Sequence, residues 1–331
     1  MKFNWFIGID VSKKTLDITV RNREIVLQTL KIENSVAALK CLLKEFKKQG
    51  IDLSATLFCM EHTGVYCTPM MLCTEKLKLH LWLENATAIK LSIGLQRGKN
   101  DQIDAARIAE YAVRFVDKVR LFEPPREAMK RLRSLTVVRK RLLASLMNIT
   151  TLSKEKDYYL AVKSTGSVCK KSITALKANL KEIEKEIRQI IKTDERLRHL
   201  FEIVTSVRGI GEVVGVQMII TTNEFKDFDC PKKFACYAGV APFEHSSGTS
   251  IKGRPRLSRR ANMGMKALLH MAALVSMKYN QELKAFYERR VSEGKSKMSV
   301  LNMLRNKLVH RIFACVRDNR KYEYIYTNSL A

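Results

Sequence analysis

The sequence predicts an α/β domain followed by a mainly helical remainder, and three observations carry that prediction. Short apolar runs with period-two spacing alternate with helix-spaced segments up to about Phe115. After Pro124-Pro125 the strand signals stop, and apolar residues recur at threes and fours through Ile190. The chain of 331 residues carries 60 Lys and Arg against 33 Asp and Glu, a net charge of +27, so its surface is suited to a polyanion. Nucleic acid is the leading candidate and an anionic membrane the second.

The first third begins with Phe6-Ile7-Gly8-Ile9-Asp10-Val11, a polar turn, and the alternating run Thr15–Val20. This reads as a β-hairpin that presents a carboxylate where its first strand stops. Such an acid, beside Gly8, is well placed to hold a metal that meets a phosphate; an Asp at this position also commonly starts a turn. Glu24 to Ile32 reads as a third strand, and Ser35 to Gln49 as a helix with Asn34 as N-cap, stopped by Gly50. Ala55 to Met60 is a continuous apolar run, the pattern of a buried central strand, and it ends in Glu61-His62-Thr63-Gly64. A helix over Val65–Leu77, a strand over Leu79–Leu83 and a helix over Ala86–Leu95 follow. Gly98 to Ala106 opens another helix, running to about Phe115, whose Asp101 and Asp104 share a face. Acids in a first helical turn also complement the helix dipole.

Hairpin, third strand, helix, then β-α-β-α is the order of an RNase H-like (RuvC-like) domain. Acids stand there on the first strand, at the end of the fourth strand and on a late helix. Asp10, Glu61 and the Asp101/Asp104 pair take those places. Converging carboxylates repel unless they hold divalent cations, and two hard ions on shared oxygens are the usual arrangement for phosphodiester chemistry.

Three segments, Ile9-Asp10-Val11-Ser12-Lys13, Glu61-His62-Thr63-Gly64 and Lys99-Asn100-Asp101-Gln102-Ile103-Asp104-Ala105, resemble the N-terminal motifs of the insertion sequence 110 family. These are transposases with a RuvC-like DEDD domain, related to the Piv DNA invertases. The resemblance implies that Asp10, Glu61, Asp101 and Asp104 bind Mg²⁺, with two ions in the site.

From Arg126 a long helix is expected, with Leu135, Leu142 and Ile149 spaced by seven and Arg139 interrupting the neighbouring seam. Ser164-Thr165-Gly166-Ser167 reads as a linker where the chain reverses. A second helix shows Ile173, Leu176, Leu180, Ile183, Ile187 and Ile190, a heptad seam. Such a pair either folds on itself as a hairpin or dimerises the protein as a coiled coil, and the resemblance favours a homodimer.

In the last third, Gly209-Ile210-Gly211 after Arg208 joins two apolar helices over Leu200–Thr222. This resembles a helix-hairpin-helix, in which backbone N–H groups approach a phosphate; a tight turn between packed helices fits equally. Lys233 to Gly248 reads as a short helix, a Pro break and a polar loop with Ser246 and Ser247. Lys252, Arg254, Arg256, Arg259 and Arg260 follow. A loop serine beside five cations is a candidate nucleophile toward phosphate, although Ser-Ser-Gly is common in loops. Asn262-Met263-Gly264 opens an apolar helix. Lys278 to Arg317 reads as two more, with Met298, Leu301, Leu304, Leu308, Ile312 and Cys315 as a core stripe; the tail from Lys321 reads as peripheral.

Tyr237-Ala238-Gly239-Val240-Ala241-Pro242 followed by Ser247-Gly248 again resembles the family, whose nucleophile is the serine before that glycine. That maps to Ser247, with Ser246 as the adjacent alternative. Thr249 to Gly253 departs from the glycine-rich loop of many relatives. The resemblance implies a recombinase that excises and integrates an insertion sequence. It implies a 5′-phosphoserine link, a Holliday junction, donor and target DNA, a guiding bridge RNA and a tetramer in synapsis. The other readings are a Piv-type invertase, a RuvC-like junction nuclease with a structural Ser247, and a non-enzymatic nucleic-acid-binding protein.

The organisation expected is therefore residues 1–123 as the metal-dependent catalytic domain, 124–199 as a helical coiled-coil arm and 200–331 as the domain carrying the serine. No run of eighteen apolar residues occurs, and the first residues lack a signal-peptide pattern. The eight cysteines form no C-x-x-C pair, which argues against zinc, and they suit the core of a cytoplasmic protein.

Overall fold

The computed structural model describes residues 2–92, 101–154, 163–241, 243–247, 251–256 and 261–323. It divides into two compact units, Met1–Pro124 and Pro125–Ala331. A mixed α/β sheet makes the first and a mostly helical body the second.

In the first unit β1 (Trp5–Val11), β2 (Thr15–Arg21) and β3 (Val26–Glu33) form an antiparallel meander. The strands β4 (Thr56–Glu61) and β5 (His80–Glu84) continue the sheet parallel to β1, in the order β3-β2-β1-β4-β5. The period of two sorts β1 cleanly. Ile7 and Ile9 face a core with Leu39, Leu43 and Phe46 of helix α1 (Val36–Lys48) and Met70 and Cys73 of α2 (Thr68–Leu77). Phe6 turns the other way. It joins Trp82, Ile89 of α3 (Ala86–Ser92), and Ile108, Tyr111 and Ala112 of α4 (Asp101–Arg114). With both faces covered, β4 is an unbroken apolar run from Leu57 to Met60.

Two local expectations change. Ser35, not Asn34, caps α1, accepting from the Ala38 N–H at 3.2 Å. Asn34 instead donates to the carbonyls of Ser12 and Tyr66, tying the hairpin turn to the loop before α2. The helix expected from Val65 begins as a single 3₁₀ turn, Gly64–Cys67. The predicted start of α4 at Gly98 lies outside the described residues, as does the end of the helix predicted to Leu95.

The second unit opens with two long helices, α5 (Glu127–Lys154) and α6 (Lys163–Thr193), packed on each other. Ser164 to Ser167 is helical rather than a linker; residues 155–162 lie outside the described residues. Arg139 interrupts the apolar seam because it pairs across the two helices with Glu184 at 2.7 Å. Burial increases toward the base of the pair. Leu180, Ile187 and Ile190 are buried, whereas Leu142, Leu146, Ile149 and Ile173 are only half-buried. At the base, Met129 and Leu132 pack with Leu197 of α7 (Glu195–Ser206) and with Val216 and Ile219 of α8 (Glu212–Thr221). Arg126 fixes this base. It donates to Asp194 at 2.7 Å and to buried Glu224, which lies in a run of three left-handed residues.

Behind α8 come α9 (Pro231–Tyr237), strands β6 (Phe243–Ser247) and β7 (Ile251–Arg256), and helices α10 (Met263–Tyr279), α11 (Gln281–Ser292) and α12 (Lys297–Arg317). Their common core contains Ile203, Phe234, Leu269, Leu304, Leu308 and Ile312. Asn262 caps α10 at 3.0 Å from the Met265 N–H. Met298 is not in the core stripe of α12; it sits exposed in the helix's first turn, ahead of the buried residues. At the tail, Tyr322 packs part-buried and its N–H donates to Ser206 Oγ at 2.7 Å, so the chain is held that far; Tyr324 and Tyr326 lie outside the described residues. Among the described residues no helix is long and apolar enough to cross a membrane.

Candidate active site

The first unit places ionisable residues one per strand in a row across the sheet. Lys31 faces Asp17, and Asp17 faces Asp10. One residue beyond the Ile9–Met60 pair, Asp10 and Glu61 stand side by side at the ends of β1 and β4, and Glu61 pairs with Glu84. Helix α4 lies over this face. It approaches so closely because β1 has a glycine there: a Cβ on Gly8 would sit 2.2 Å from Ala109 N and 2.3 Å from Ala105 O. Ala105 and Ala109, both fully buried, complete the close contact from the helix side.

The helix spans the row. Near one end Asp101 lies 4.0 Å from Lys31 Nζ, and near the other the Tyr111 hydroxyl donates to Glu84 Oε2 at 3.2 Å. Between them Asp104 accepts from Arg107 at 2.8 Å. The acids feel one another. Burial pushes the Asp10 carboxyl above its ordinary value, and the charges of Asp101 and Asp104 push it further. Burial raises Glu61 as well, reinforced by Asp10 and Asp104. Burial and then the Glu84 charge push the Tyr111 hydroxyl up to about 12, so Tyr111 stays a proton donor to Glu84 at neutral pH.

The structure thus sets Asp10 beside Glu61, with Asp101 and Asp104 within electrostatic reach of Asp10. Among the described residues, no three acidic, His or Cys side chains stand close enough together to hold an ion as placed. Asp104 leans on Arg107 and Asp101 toward Lys31. The donor set nevertheless suits a hard divalent cation: carboxylate oxygens only, two at strand ends and two on the first turn of α4, with negative charge in surplus at Asp10 and Glu61. Sequence reasoning passed over Asp17, Lys31, Glu84 and the structural part of Gly8. For Asp17 the signal was available, since a hairpin turning between Ser12 and Thr15 sets residue 17 opposite residue 10.

In the second unit, Ser247 ends β6, and the polar loop expected there is a two-stranded antiparallel ribbon. Ser247 pairs with Ile251 and Ser246 with Lys252. Their sequences, Phe-Glu-His-Ser-Ser and Ile-Lys-Gly-Arg-Pro-Arg, hid these strands, because each carries a single large apolar residue at its start and no apolar period marks them. Lys252, Arg254 and Arg256 recur at every second position of β7. Arg259 and Arg260 lie outside the described residues, as does Gly248.

Arg208, Gly209 and Gly211 form the turn between α7 and α8. Gly209 has φ +96°, and a Cβ there would meet Ser276 Oγ at 1.9 Å. Ser276 also donates to the Arg208 carbonyl at 2.9 Å, so this glycine serves packing against α10. Gly211, the N-cap of α8, faces open space.

Two sequence-family comparisons cover these same regions. The model described as "Transposase" of the DEDD IS110 type matches residues 7–155, which include all four acids. The model described as "Transposase IS116/IS110/IS902 family" matches residues 201–288, which include the Gly-Ile-Gly turn and the serine ribbon. The chain belongs to the IS110/IS116/IS902 transposase family.

Relatives agree with that membership. A pilin gene-inverting protein of Moraxella bovis is 22% identical over 96% of this chain and 97% of its own length. An insertion element IS110 protein of Streptomyces coelicolor is 28% identical over 46% of this chain and 36% of its own. An IS116 protein of Streptomyces clavuligerus is 26% identical over 56% and 45% respectively. Membership makes the chain a DNA recombination protein of the transposase and invertase type, acting on DNA.

Proposed function

We propose that this protein excises and integrates an insertion sequence as a metal-dependent serine recombinase, with an RNase H-like first unit. The observation that supports the reading is Asp10 and Glu61 side by side at the ends of β1 and β4, with Asp101 and Asp104 on the helix that Gly8 admits to that face of the sheet. In this reading the four acids hold Mg²⁺, which when bound neutralises them and polarises a DNA phosphodiester. Ser247 is the nucleophile. Its Oγ forms a bond to phosphorus as the bond to the 3′-oxygen breaks, leaving a 5′-phosphoserine and a free 3′-hydroxyl, and reversal onto a second DNA end completes strand exchange through a Holliday junction. Lys252, Arg254, Arg256, Arg259 and Arg260 offset charge on the phosphate, and the Arg208–Gly211 turn positions the DNA backbone without reading sequence.

The charge of +27 suits more than one nucleic-acid ligand, and we assign one of them as a bridge RNA that selects donor and target DNA. The arm helices, half-buried along their outer length, are the proposed homodimer contact, with a tetramer in synapsis. The protein is assigned to the bacterial cytoplasm, at the nucleoid.

The test is direct. Ser247→Ala should abolish covalent protein–DNA adducts while DNA binding stays within about twofold; adducts that persist would remove the serine from the mechanism. Asp10→Asn should reduce Mg²⁺-dependent strand transfer by roughly a hundredfold or more, and unchanged transfer would remove the metal site. Sequencing RNA that co-purifies with the protein decides the guide: one structured species is expected, and a random cellular pool would count against it. A second reading is site-specific inversion at a fixed locus, favoured by the end-to-end match to the pilin gene-inverting protein. Activity on one pair of inverted sites, independent of any RNA, would select it.

A further inference from the structure

The acid row carries its own cation. Asp17 is buried to 1% exposure in the middle of β2, directly opposite Asp10. Facing carboxylates on neighbouring strands repel, and a buried charge requires a partner. Lys31 supplies it: from the facing position on β3 its Nζ lies 3.1 Å from Asp17 Oδ2 and 4.0 Å from Asp101 Oδ2. Asp17 Oδ2 has no hydrogen-bond donor within good geometry, so the ion pair is the satisfaction this buried oxygen receives. The two acids differ in kind. The Asp17 side chain is 2% exposed, while Asp101 is 54% exposed at the first turn of α4. The ammonium is therefore anchored on one carboxylate and merely shared with the other.

We infer that Lys31, anchored by Asp17, is a positioning residue that serves as the built-in counter-ion of the acid cluster and competes with a divalent cation for Asp101. This inference rests on the metal-binding reading above. The lysine offsets repulsion across the row and holds the start of α4 to the sheet end, keeping Asp101 beside the other donors. A dication bound among the same acids is repelled by the ammonium and takes its place on Asp101, while Asp17 retains Lys31 nearby. Asp17 is accordingly an anchor and not a ligand.

The experiment titrates Mn²⁺ into the full-length protein, reading bound metal by electron paramagnetic resonance and stability by thermal unfolding. Lys31→Gln should lower the Mn²⁺ concentration at half-saturation by about fivefold or more, the weight of one unit charge at 4 Å in water-like surroundings. Lys31→Arg, which keeps the charge, should stay near wild type, and Lys44→Gln on the exposed face of α1 should change nothing. In EDTA, Lys31→Gln should lower the melting temperature by a few degrees, and adding Asp17→Asn should restore part of it by removing the stranded buried charge. Half-saturation that is unchanged or raised in Lys31→Gln overturns the inference. Wild-type protein with no saturable Mn²⁺ site, or Asp10→Asn with unaltered binding, overturns the metal reading itself, so the two failures are distinguishable.

Discussion

The two proposed sites of this transposase-family chain are held in contrasting ways. In the first unit every acid stands on an element with its own core: β1 and β4 are buried on both faces, and α4 is seated on Gly8 with no room to spare. In the second unit Ser247 stands on a ribbon of two strands, positioned by the register Ser246–Lys252 and Ser247–Ile251. Metal chemistry needs several oxygens fixed within a fraction of an ångström, which a doubly covered sheet provides. On the proposed reading, a nucleophile that must reach a phosphate on a large, charged substrate is served by a short ribbon followed by cations. The difference teaches that rigidity here follows the number of groups that must converge.

The sharpest way to break this contrast is Gly8→Val. The added carbons would overlap Ala105 O and Ala109 N, backbone atoms that cannot turn aside. Displacing α4 separates Asp101 and Asp104 from Asp10 and opens the core around Phe6, Trp82 and Ile108. We expect the first unit to lose about 3 kcal/mol or more and unfold near ambient temperature, while the helical signal of the second unit persists. Thermal unfolding followed by circular dichroism at two wavelengths checks it. The counterpart, Gly209→Ala, meets Ser276 Oγ and imposes φ +96° on an L residue. The added Cβ would also lie 2.9 Å from the Ala272 carbonyl oxygen and from Ser276 Cβ, so turning the serine hydroxyl aside relieves only the shortest contact, and the cost should be about 1–3 kcal/mol.

How the sites divide between subunits gives the next test. An arm that joins two copies allows Asp10 of one chain to work with Ser247 of another. Mixing Asp10→Asn and Ser247→Ala proteins, each inactive, should then restore up to about a quarter of wild-type cleavage, the statistical share of fully competent pairings in random dimers. No recovery in the mixture would place both groups in one chain.

Much of the first unit was legible in the sequence and little of the ribbon was. Asp10 and Glu61 followed from apolar runs that end in an acid, because burial on two faces writes itself as continuous hydrophobicity. Asp17 was hidden in plain sight: it alternates correctly as a polar strand residue, and only the hairpin register turns it toward Asp10. Arg139 looked like a flaw in the heptad and is an ion pair to Glu184, a pairing that no single-helix pattern encodes. The reversal of the arm was placed at Ser164–Ser167 because Gly and Ser punctuate turns, yet a helix that packs along its length tolerates one glycine. Beyond Phe243 and Ile251 at their starts, the strands β6 and β7 carry polar and charged residues with Gly253 and Pro255, so the period that reveals strands elsewhere had nothing to act on. The five cations that follow made a loop serine a candidate, but only the resemblance singled out Ser247.

A subtler difference between the units is their response to pH. Asp10 and Glu61 have folded-state values above their ordinary ones, through burial and mutual repulsion. Raised carboxyls favour the folded state most when protonated. Their contribution is fully present below the ordinary carboxylate range and is lost as pH rises through the raised values. In EDTA, the first unit should therefore gain stability as pH falls from neutrality toward the ordinary carboxylate range, relative to Asp10→Asn. Saturating Mg²⁺ should remove the gain, since a cation stabilises the charged acids instead. A difference between wild type and Asp10→Asn that stays constant across this range, measured by melting temperature, would show that the acids are not coupled in solution.

The smallest effect tests the turn between α7 and α8. Gly211 caps α8 and faces open space, so Gly211→Ser introduces no clash and supplies a better capping side chain. Stability should stay within a few tenths of a kcal/mol of wild type or rise slightly. If the turn brings its backbone N–H groups against a DNA phosphate, the same hydroxymethyl group intrudes on the contact. DNA affinity should then fall by about three- to tenfold at fixed salt, while the slope of affinity against salt concentration stays unchanged, because no charge has been removed. Gly209→Ala cannot make this distinction, since it disturbs the packing of Ser276 as well. Unaltered affinity with unaltered stability in Gly211→Ser would leave the turn a packing device, and would shift the contact with DNA to the cations that follow Ser247.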